Sequence, residues 1–318
     1  MNAPAHPLIT AQGLAVRYRA TEAVAGIDLT VQRGEVVGLI GPDGAGKTST
    51  LRVLAGLLKP TAGRVTAFGQ PLWEHRRTLH RRLGYLAQRC ALYGDLTVDE
   101  NVQFFALLYG ERGWRTKRDE LLQRVALAPF RDRLADHLSG GMKQKLALAC
   151  TLIHDPELLI LDEPTTGVDP ITRRELWRLL GELVAGGLTL LVATPYLDEA
   201  ERCSRVVLLH AGRVLAEGSP TALKAKLPGS IVRIEGGERA AVTAALTGQP
   251  AVREVAVFGA AVHARFAASP PDALHLAAAA LADAGLGDLD LRHMPPSLED
   301  VFLYFTARTQ GAATGEAA

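Results

Sequence analysis

The sequence predicts an α/β fold whose parallel sheet carries a phosphate-binding loop, followed by a smaller α+β domain. Residues 41–48 fit the pattern G-x-x-x-x-G-K-[ST], between an apolar run at 35–40 and leucines at helical spacing in 48–58. A second apolar run, 158–161, ends in the carboxylates Asp162 and Glu163. A glycine loop between a strand and a helix is the context in which this pattern binds nucleotide phosphates.

The residue types of the loop match phosphate chemistry. Glycines let backbone N–H groups turn toward phosphate oxygens, and the helix N-terminus adds partial positive charge. Lys47 is expected to reach the β- and γ-phosphates, and the Thr48 hydroxyl to ligate Mg²⁺. The expected nucleotide-binding residues of the loop are Gly41, Pro42, Asp43, Gly44, Ala45, Gly46, Lys47, Thr48 and Ser49.

Composition limits the classes of protein to which this sequence can belong. The 318 residues carry 35 basic and 34 acidic side chains, a formal net charge of +1, so nothing in the charge balance suggests a nucleic-acid partner. The three cysteines lie far apart in sequence, which predicts no disulfide framework and fits a reducing cytosol. No stretch approaches the ~18 apolar residues of a membrane span, and residues 1–7 do not resemble a signal peptide.

Four strands are predicted around the loop and its helix. Residues 8–18 and 24–31 precede the loop, and residues 64–68 and 83–88 follow the helix. Tyr18 ends the first strand, where it either stacks on an adenine or simply packs. Gln88 stands at the carboxyl end of the last, the end where ligands bind in open α/β sheets.

A helical region is predicted from about residue 96 to 150. Thr97 and Glu100 have the spacing of a capping box. Ser139 is expected to cap a later helix that opens with Gly140 and Gly141. These three residues form either a helix start alone or a second anion site of backbone N–H groups and a hydroxyl.

Asp162 and Glu163 carry the predicted chemistry. Two buried carboxylates without a function would be costly, because like charges cannot both ionise cheaply. Beside a phosphate loop, Asp162 would hold Mg²⁺ through water and Glu163 would polarise the attacking water.

Asp169, followed by a proline, predicts the start of the next helix, and residues 188–193 predict another buried strand. A hairpin at 206–217 closes this domain, which is expected to span residues 1–227.

A second domain is predicted over residues 228–306, with a disordered tail at 307–318. Its pattern is β-α-β-β-α-β, which is typical of a ferredoxin-like domain. Asp272 is expected to cap the alanine-rich second helix, and Ser297 with Asp300 to form a capping box before a terminal helix. No catalytic constellation is present in this region, so we expect a role in contact or regulation.

With these residues collected, the chain resembles the nucleotide-binding subunit of an ATP-binding cassette (ABC) transporter, a P-loop NTPase. Residues 41–49 resemble the Walker A loop, 158–163 the Walker B strand, and 138–142 the family signature. The resemblance implies that ATP and Mg²⁺ bind this domain. The resemblance also implies roles for single residues. Gln88 would sense Mg²⁺ and contact the membrane subunit, Val168 and Asp169 would form the D-loop, and Tyr18 would stack on adenine. The implied catalytic residues are Glu163, Gln88 and Lys47, and the implied metal ligands are Thr48, Gln88 and Asp162.

Residues 96–101, 195–201 and 296–302 further resemble the ABC-2-type exporter branch. The resemblance then implies partners: separate transmembrane permease subunits, and a second nucleotide-binding domain, identical or not, whose Ser139, Gly140 and Gly141 complete the ATP site. The expected location is the cytoplasmic face of the cell membrane, with the chain peripheral to it.

Two positions depart from the family pattern. Asp43 replaces the usual asparagine, and Pro195 replaces the switch histidine that contacts the γ-phosphate. Proline supplies neither a side-chain donor nor a backbone N–H, so hydrolysis is expected to be slow. Two alternatives therefore stand beside an ATP-driven exporter motor: a subunit that clamps ATP with weak or no hydrolysis, and a soluble ABC ATPase without a transport role.

Overall fold

The structure, a computed structural model, describes residues 7–89 and 91–315, the last six of these for their backbone only. Three parts of the chain that carry sequence-based expectations lie outside the described residues: 1–6, Cys90 and 316–318. The chain divides into two compact units, Met1–Pro220 and Thr221–Ala318, so the division precedes the predicted boundary after residue 227.

The first unit contains ten strands and seven α-helices in its described part. The strands are β1 Ile9–Tyr18, β2 Thr21–Val31, β3 Val36–Ile40, β4 Ala62–Ala67, β5 Gln70–Pro71, β6 Leu83–Leu86, β7 Leu158–Asp162, β8 Thr189–Thr194, β9 Arg205–His210 and β10 Arg213–Gly218. The helices are α1 Lys47–Leu54, α2 Leu72–Leu79, α3 Val98–Tyr109, α4 Trp114–Arg124, α5 Gly140–Leu152, α6 Pro170–Ala185 and α7 Leu197–Ala200.

A six-stranded sheet, in the order β10-β9-β3-β8-β7-β6, forms the centre of this unit. All neighbours are parallel except β10 and β9, and the register pairs Ile40 with Thr194 and Leu86 with Leu161. Every residue of β7 is buried, as expected for a parallel strand covered on both faces. The register brings the carboxyl ends of β3, β6, β7 and β8 to one edge, where the phosphate loop begins.

An antiparallel sheet, in the order β2-β1-β4-β5, packs on the same apolar core. The sequence predicted β1, β2 and β4 but missed β5. In the helical region, the Thr97–Glu100 capping box is confirmed: Thr97 Oγ1 accepts from Glu100 N at 3.2 Å, and Thr97 N donates to Glu100 Oε2 at 2.8 Å.

The elements of the second unit are α8 Pro220–Ala225, which begins at the division between the units, β11 Ser230–Glu235, α9 Arg239–Leu246, β12 Val252–Phe258, β13 Ala261–Phe266, α10 Pro270–Asp283, β14 Asp290–Met294 and α11 Leu298–Gly315. The strands form one sheet in the order β12-β13-β11-β14, with every neighbouring pair antiparallel. Apolar residues of its central strands, including Val232, Ile234 and Phe266, pack with α9 and α10.

Two expectations for the second unit are corrected. Ser269, not Asp272, stands at the N-cap of α10, because Pro270 and the following proline occupy the first helical positions that tolerate proline. Helix α11 continues to Gly315, whereas disorder was predicted from residue 307. Once a helix is nucleated, each further residue adds a hydrogen bond, so it can extend beyond its apolar periodicity. The Ser297–Asp300 capping box is confirmed by reciprocal bonds of 2.8 and 3.2 Å.

Candidate nucleotide-binding site

A cleft of about 530 Å³ opens over the phosphate loop, at the carboxyl edge of the parallel sheet. It brings together most of the residues that the sequence singled out. Its lining comprises Thr21, Glu22, Ala23, Asp43, Gly44, Ala45, Gly46, Lys47, Thr48, Ser49, Gln88, Glu163 and Ala211.

Two loop glycines are required by close backbone contacts. A Cβ on Gly41 would lie 2.3 Å from the carbonyl oxygen of Leu209, and Gly46, at φ +99°, would place a Cβ 2.4 Å from that of Ala23. Only glycine adopts this backbone without strain in so little space. Strands β9 and β2 therefore hold the loop on two sides.

Lys47 is the buried cation of the cleft, with 4% of its side chain exposed. Its Nζ donates to the carbonyl oxygens of Gly41 at 2.8 Å and Pro42 at 3.1 Å. The exposed Asp43 carboxylate lies 4.0 Å from the same ammonium. An anion in the cleft would meet this ammonium together with the N-terminus of α1.

Glu163 follows the last residue of β7 and lies in the same cleft. Its Oε1 is 3.4 Å from Lys47 Nζ, and its Oε2 accepts from Gln88 Nε2 at 2.8 Å and from Thr166 Oγ1 at 3.2 Å. The backbone of Glu163 has φ 52°, a left-handed conformation that is uncommon outside glycine. Such strain is often found at functional sites, and here it accompanies a carboxylate held by three polar partners.

Asp162 is buried at the end of β7, and both of its carboxylate oxygens accept hydroxyl hydrogens. Thr48 Oγ1 donates to Oδ1 at 3.0 Å and Tyr85 OH donates to Oδ2 at 3.2 Å. Burial raises the pKa of Asp162, against the two hydrogen bonds that lower it. Burial first, and then the charge of Asp162, raise the pKa of Tyr85 to about 12, so Tyr85 remains a donor at neutral pH.

The residues present fit both Mg²⁺ and a phosphate chain. Carboxylate, hydroxyl and amide oxygens are the ligands that Mg²⁺ prefers, and Asp162, Thr48 and Gln88 supply them. The described residues contain no cluster of three or more histidine, cysteine or acidic side chains with metal-ligand geometry. Mg²⁺ in nucleotide sites is usually held by one or two carboxylates plus substrate phosphates.

The sequence missed four lining residues: Thr21, Glu22, Ala23 and Ala211. The first three open β2, after a tight turn that pairs Tyr18 with Thr21, and the fourth lies in the β9–β10 turn. These turns were visible in the sequence, but their proximity to the phosphate loop comes from the packing of two sheets. Tyr18 itself is 43% exposed, and its hydroxyl is 3.3 Å from Ser49 Oγ at the margin of the cleft.

Ser139, Gly140 and Gly141 are not among the described residues that line this cleft. Ser139 caps α5, its Oγ accepting from Met142 N at 3.3 Å, and both Ser139 and Gly140 are exposed. Asp169 caps α6 as predicted, accepting from the backbone N–H groups of the second and third helical residues at 3.0 Å each.

Pro195 and its neighbours also lie outside the described lining of the cleft. The Thr194 hydroxyl accepts from Tyr196 N at 3.1 Å, and the Tyr196 ring stacks under the Arg173 guanidinium at 4.1 Å. Arg173 in turn lies 3.7 Å from the buried Glu199 carboxylate. The loop after β8 is therefore tied to α6 and α7.

The parallel sheet, the phosphate loop and the paired carboxylates define a nucleotide-binding domain of the P-loop NTPase class. A family model described as ABC transporter matches residues 24–166. "Probable multidrug ABC transporter ATP-binding protein YbhF" of Escherichia coli K12 is 42% identical over 318 residues, covering 97% of this chain and 53% of its own length. "Daunorubicin resistance ATP-binding protein DrrA3" of Streptomyces coeruleorubidus is 40% identical over 306 residues, covering 94% of this chain and 95% of its own.

Solved structures agree with these relatives. An ATP-binding subunit of an ABC transporter matches with a TM-score of 0.64 and 33% identity, over 69% of this chain and 92% of its own. A dimeric cassette bound to ADP and Pi matches with a TM-score of 0.62 and 26% identity, over 66% and 98%. The chain therefore belongs to the ATP-binding proteins of ABC transporters. It spans about half the length, 53%, of the E. coli relative.

No helix in the described parts of the chain combines the length and the apolar character needed to cross a bilayer.

Proposed function

We propose that this chain binds and hydrolyses ATP to power an ABC-2-type exporter. It acts at the cytoplasmic face of the cell membrane, peripheral to it, together with separate transmembrane permease subunits. The observation that carries the proposal is the Glu163 carboxylate, which contacts both Lys47 and Gln88 in one cleft. The relatives that are named for drug resistance or multidrug transport support export as the direction.

Each cleft residue has its own role in the proposed hydrolysis. Lys47 and the N-terminus of α1 neutralise phosphate charge, which favours both binding and the charge that shifts during transfer. Glu163 accepts a hydrogen bond from the attacking water and orients it, while Gln88 fixes one of its carboxylate oxygens. Mg²⁺, when bound by Thr48, Gln88 and Asp162, would neutralise further charge on the β- and γ-phosphates.

A second nucleotide-binding domain is part of the proposal. Ser139 and Gly140 present an exposed helix N-terminus that the cleft of the same chain does not use. In a head-to-tail pair, identical or not, Ser139, Gly140 and Gly141 of one domain would complete the anion site over the phosphate loop of the other. The dimeric cassette among the structural relatives supports a pair of such domains.

The second compact unit is proposed to be an accessory domain for contact or regulation, of ferredoxin-like type. Its element order β-α-β-β-α-β and its antiparallel sheet order support this class. The family model matches only residues 24–166, whereas DrrA3 aligns over 94% of the chain and so extends into this unit.

Two measurements test the proposal. Phosphate release by the purified chain should be lost in Lys47→Ala, which removes the buried ammonium, and kept in Lys59→Ala, whose exposed side chain lies outside the cleft lining. Equal rates in the two variants would show that the cleft is not the ATPase site. Co-purification with its membrane partners, followed by assay in lipid, should give an increased rate that depends on those partners. A chain that binds no membrane protein would overturn the transport role.

A further inference from the structure

Tyr85, the tyrosine of β6, donates a hydrogen bond to the Asp162 carboxylate at the end of β7. We propose that Tyr85 is a positioning residue for Mg²⁺: its hydroxyl holds the Asp162 carboxylate in the orientation that binds the metal. This inference rests on the proposed function, because it concerns the same Mg²⁺–nucleotide site. It adds a residue that neither the phosphate-loop pattern nor the carboxylate pair identifies.

The geometry separates the two donors to Asp162. Thr48 Oγ1 donates to Oδ1 at 3.0 Å, but this hydroxyl is itself an expected metal ligand. Tyr85 OH donates to Oδ2 at 3.2 Å and comes from a different strand, half-buried against the apolar core. Tyr85 is thus the donor whose hydrogen bond to Asp162 does not compete with metal ligation.

Because Asp162 is buried, losing its hydrogen bond from Tyr85 should have a measurable effect on the carboxylate. Asp162 is 1% exposed, so a carboxylate oxygen without a donor would lack compensation from bulk water. A buried carboxylate with only one directional partner could also rotate about its terminal torsion, which is broad for aspartate. Arg52 on α1 adds positive charge beside both Tyr85 and Asp162. Removing the Tyr85 hydroxyl therefore removes a directional bond while that charge remains.

Strand β6 and the residues that follow it orient the two carboxylates at the end of β7. Gln88, two residues beyond the end of β6, donates to Glu163 at 2.8 Å, while Tyr85 within β6 donates to Asp162. The parallel pairing of β6 with β7 places the two donors beside the two acceptors. The segment from Tyr85 to Gln88 thus contacts both the carboxylate proposed to bind the metal and the carboxylate proposed to orient water.

The test measures ADP binding by titration calorimetry at a series of Mg²⁺ concentrations, using the full chain. In Tyr85→Phe, half-maximal enhancement of ADP binding should need about tenfold more Mg²⁺ than in the wild type, close to the lower limit for losing a hydrogen bond to a charged group. ADP affinity without Mg²⁺ should be unchanged. Tyr109→Phe is the matched control, because Tyr109 is also half-buried and burial also raises its pKa, but it lies on α3 and stacks on His154.

The outcomes are distinguishable. An unchanged Mg²⁺ requirement in Tyr85→Phe would overturn the inference, and so would an equal rise in Tyr109→Phe. A wild type whose ADP binding does not respond to Mg²⁺ would instead overturn the proposed nucleotide site. A double variant separates positioning from general destabilisation: in the Asp162→Asn background, Tyr85→Phe should cause no further change in the Mg²⁺ requirement. A further rise there would show that Tyr85 does not act through Asp162.

Discussion

Replacing Glu163 by glutamine should stop turnover while leaving ATP bound. The change keeps the side-chain shape but removes the negative charge that lies 3.4 Å from Lys47 Nζ. At an effective dielectric constant of ~20, two unit charges at that distance attract by about 5 kcal/mol, an interaction that nucleotide phosphates must compete with. Glu163→Gln should therefore bind ATP at least as tightly as the wild type.

Turnover should fall by ~10²-fold or more, the range for losing a positioned acid–base group. Phosphate release measures the rate, and size-exclusion chromatography with ATP should show an accumulated dimer. Glu175→Gln is the matched control, since Glu175 also pairs with a lysine, Lys145 at 2.6 Å, but is half-exposed on α6. A Glu163→Gln variant that hydrolyses ATP at the wild-type rate would remove Glu163 from the mechanism.

Three further predictions concern residues around the cleft and the helical region. Tyr18→Ala should weaken ATP binding by ~1–3 kcal/mol if the ring stacks on adenine, and Tyr18→Phe should hardly change it; equal calorimetric affinity in the alanine variant would leave Tyr18 a packing residue. Pro195→His should raise turnover at saturating ATP with binding little changed, because the family resemblance implies that a histidine at this position donates to the γ-phosphate, although Pro195 lies outside the described lining of the cleft; a lower rate with an intact fold would mean that the loop is built around proline. Burial lowers the pKa of His154 from 6.5, so its contribution to stability is present above pH 6.5 and is lost as pH falls toward the lowered folded-state pKa. Between pH 7.5 and 5.5, the free energy of unfolding should therefore drop less in His154→Gln than in the wild type, by at most ~1.4 kcal/mol, the limit for one proton over about one pH unit; an equal drop in chemical denaturation would contradict this.

Local patterns predicted the parts of the site that lie on single elements. The phosphate loop, the β7 carboxylates and the helix caps at Thr97, Ser139 and Asp169 all follow from residue type and spacing, and the structure places them as expected. Gln88 was predicted at the carboxyl end of a strand over residues 83–88; the strand ends at Leu86, and Gln88 still lies in the cleft because parallel strands share a carboxyl edge.

Contacts between distant elements could not be predicted in the same way. The hydrogen bond from Tyr85 to Asp162 joins residues of different strands, and its existence depends on the register of β6 against β7. The lining residue Ala211 depends on how the β9–β10 turn packs on the loop: the N–H of the next residue, Gly212, donates to the Ala45 carbonyl at 3.1 Å. Neither contact leaves a periodic signal in the sequence.

The backbone contacts around the phosphate loop bear on the thermodynamics of nucleotide binding. The carbonyl oxygens of Leu209 and Ala23 stand where Cβ atoms of Gly41 and Gly46 would be, and Lys47 closes the loop from inside through two carbonyl contacts. The loop's conformational entropy is therefore lost when the domain folds and not when a ligand arrives. A nucleotide meets a preorganised cradle, so more of its interaction energy with the loop remains as affinity.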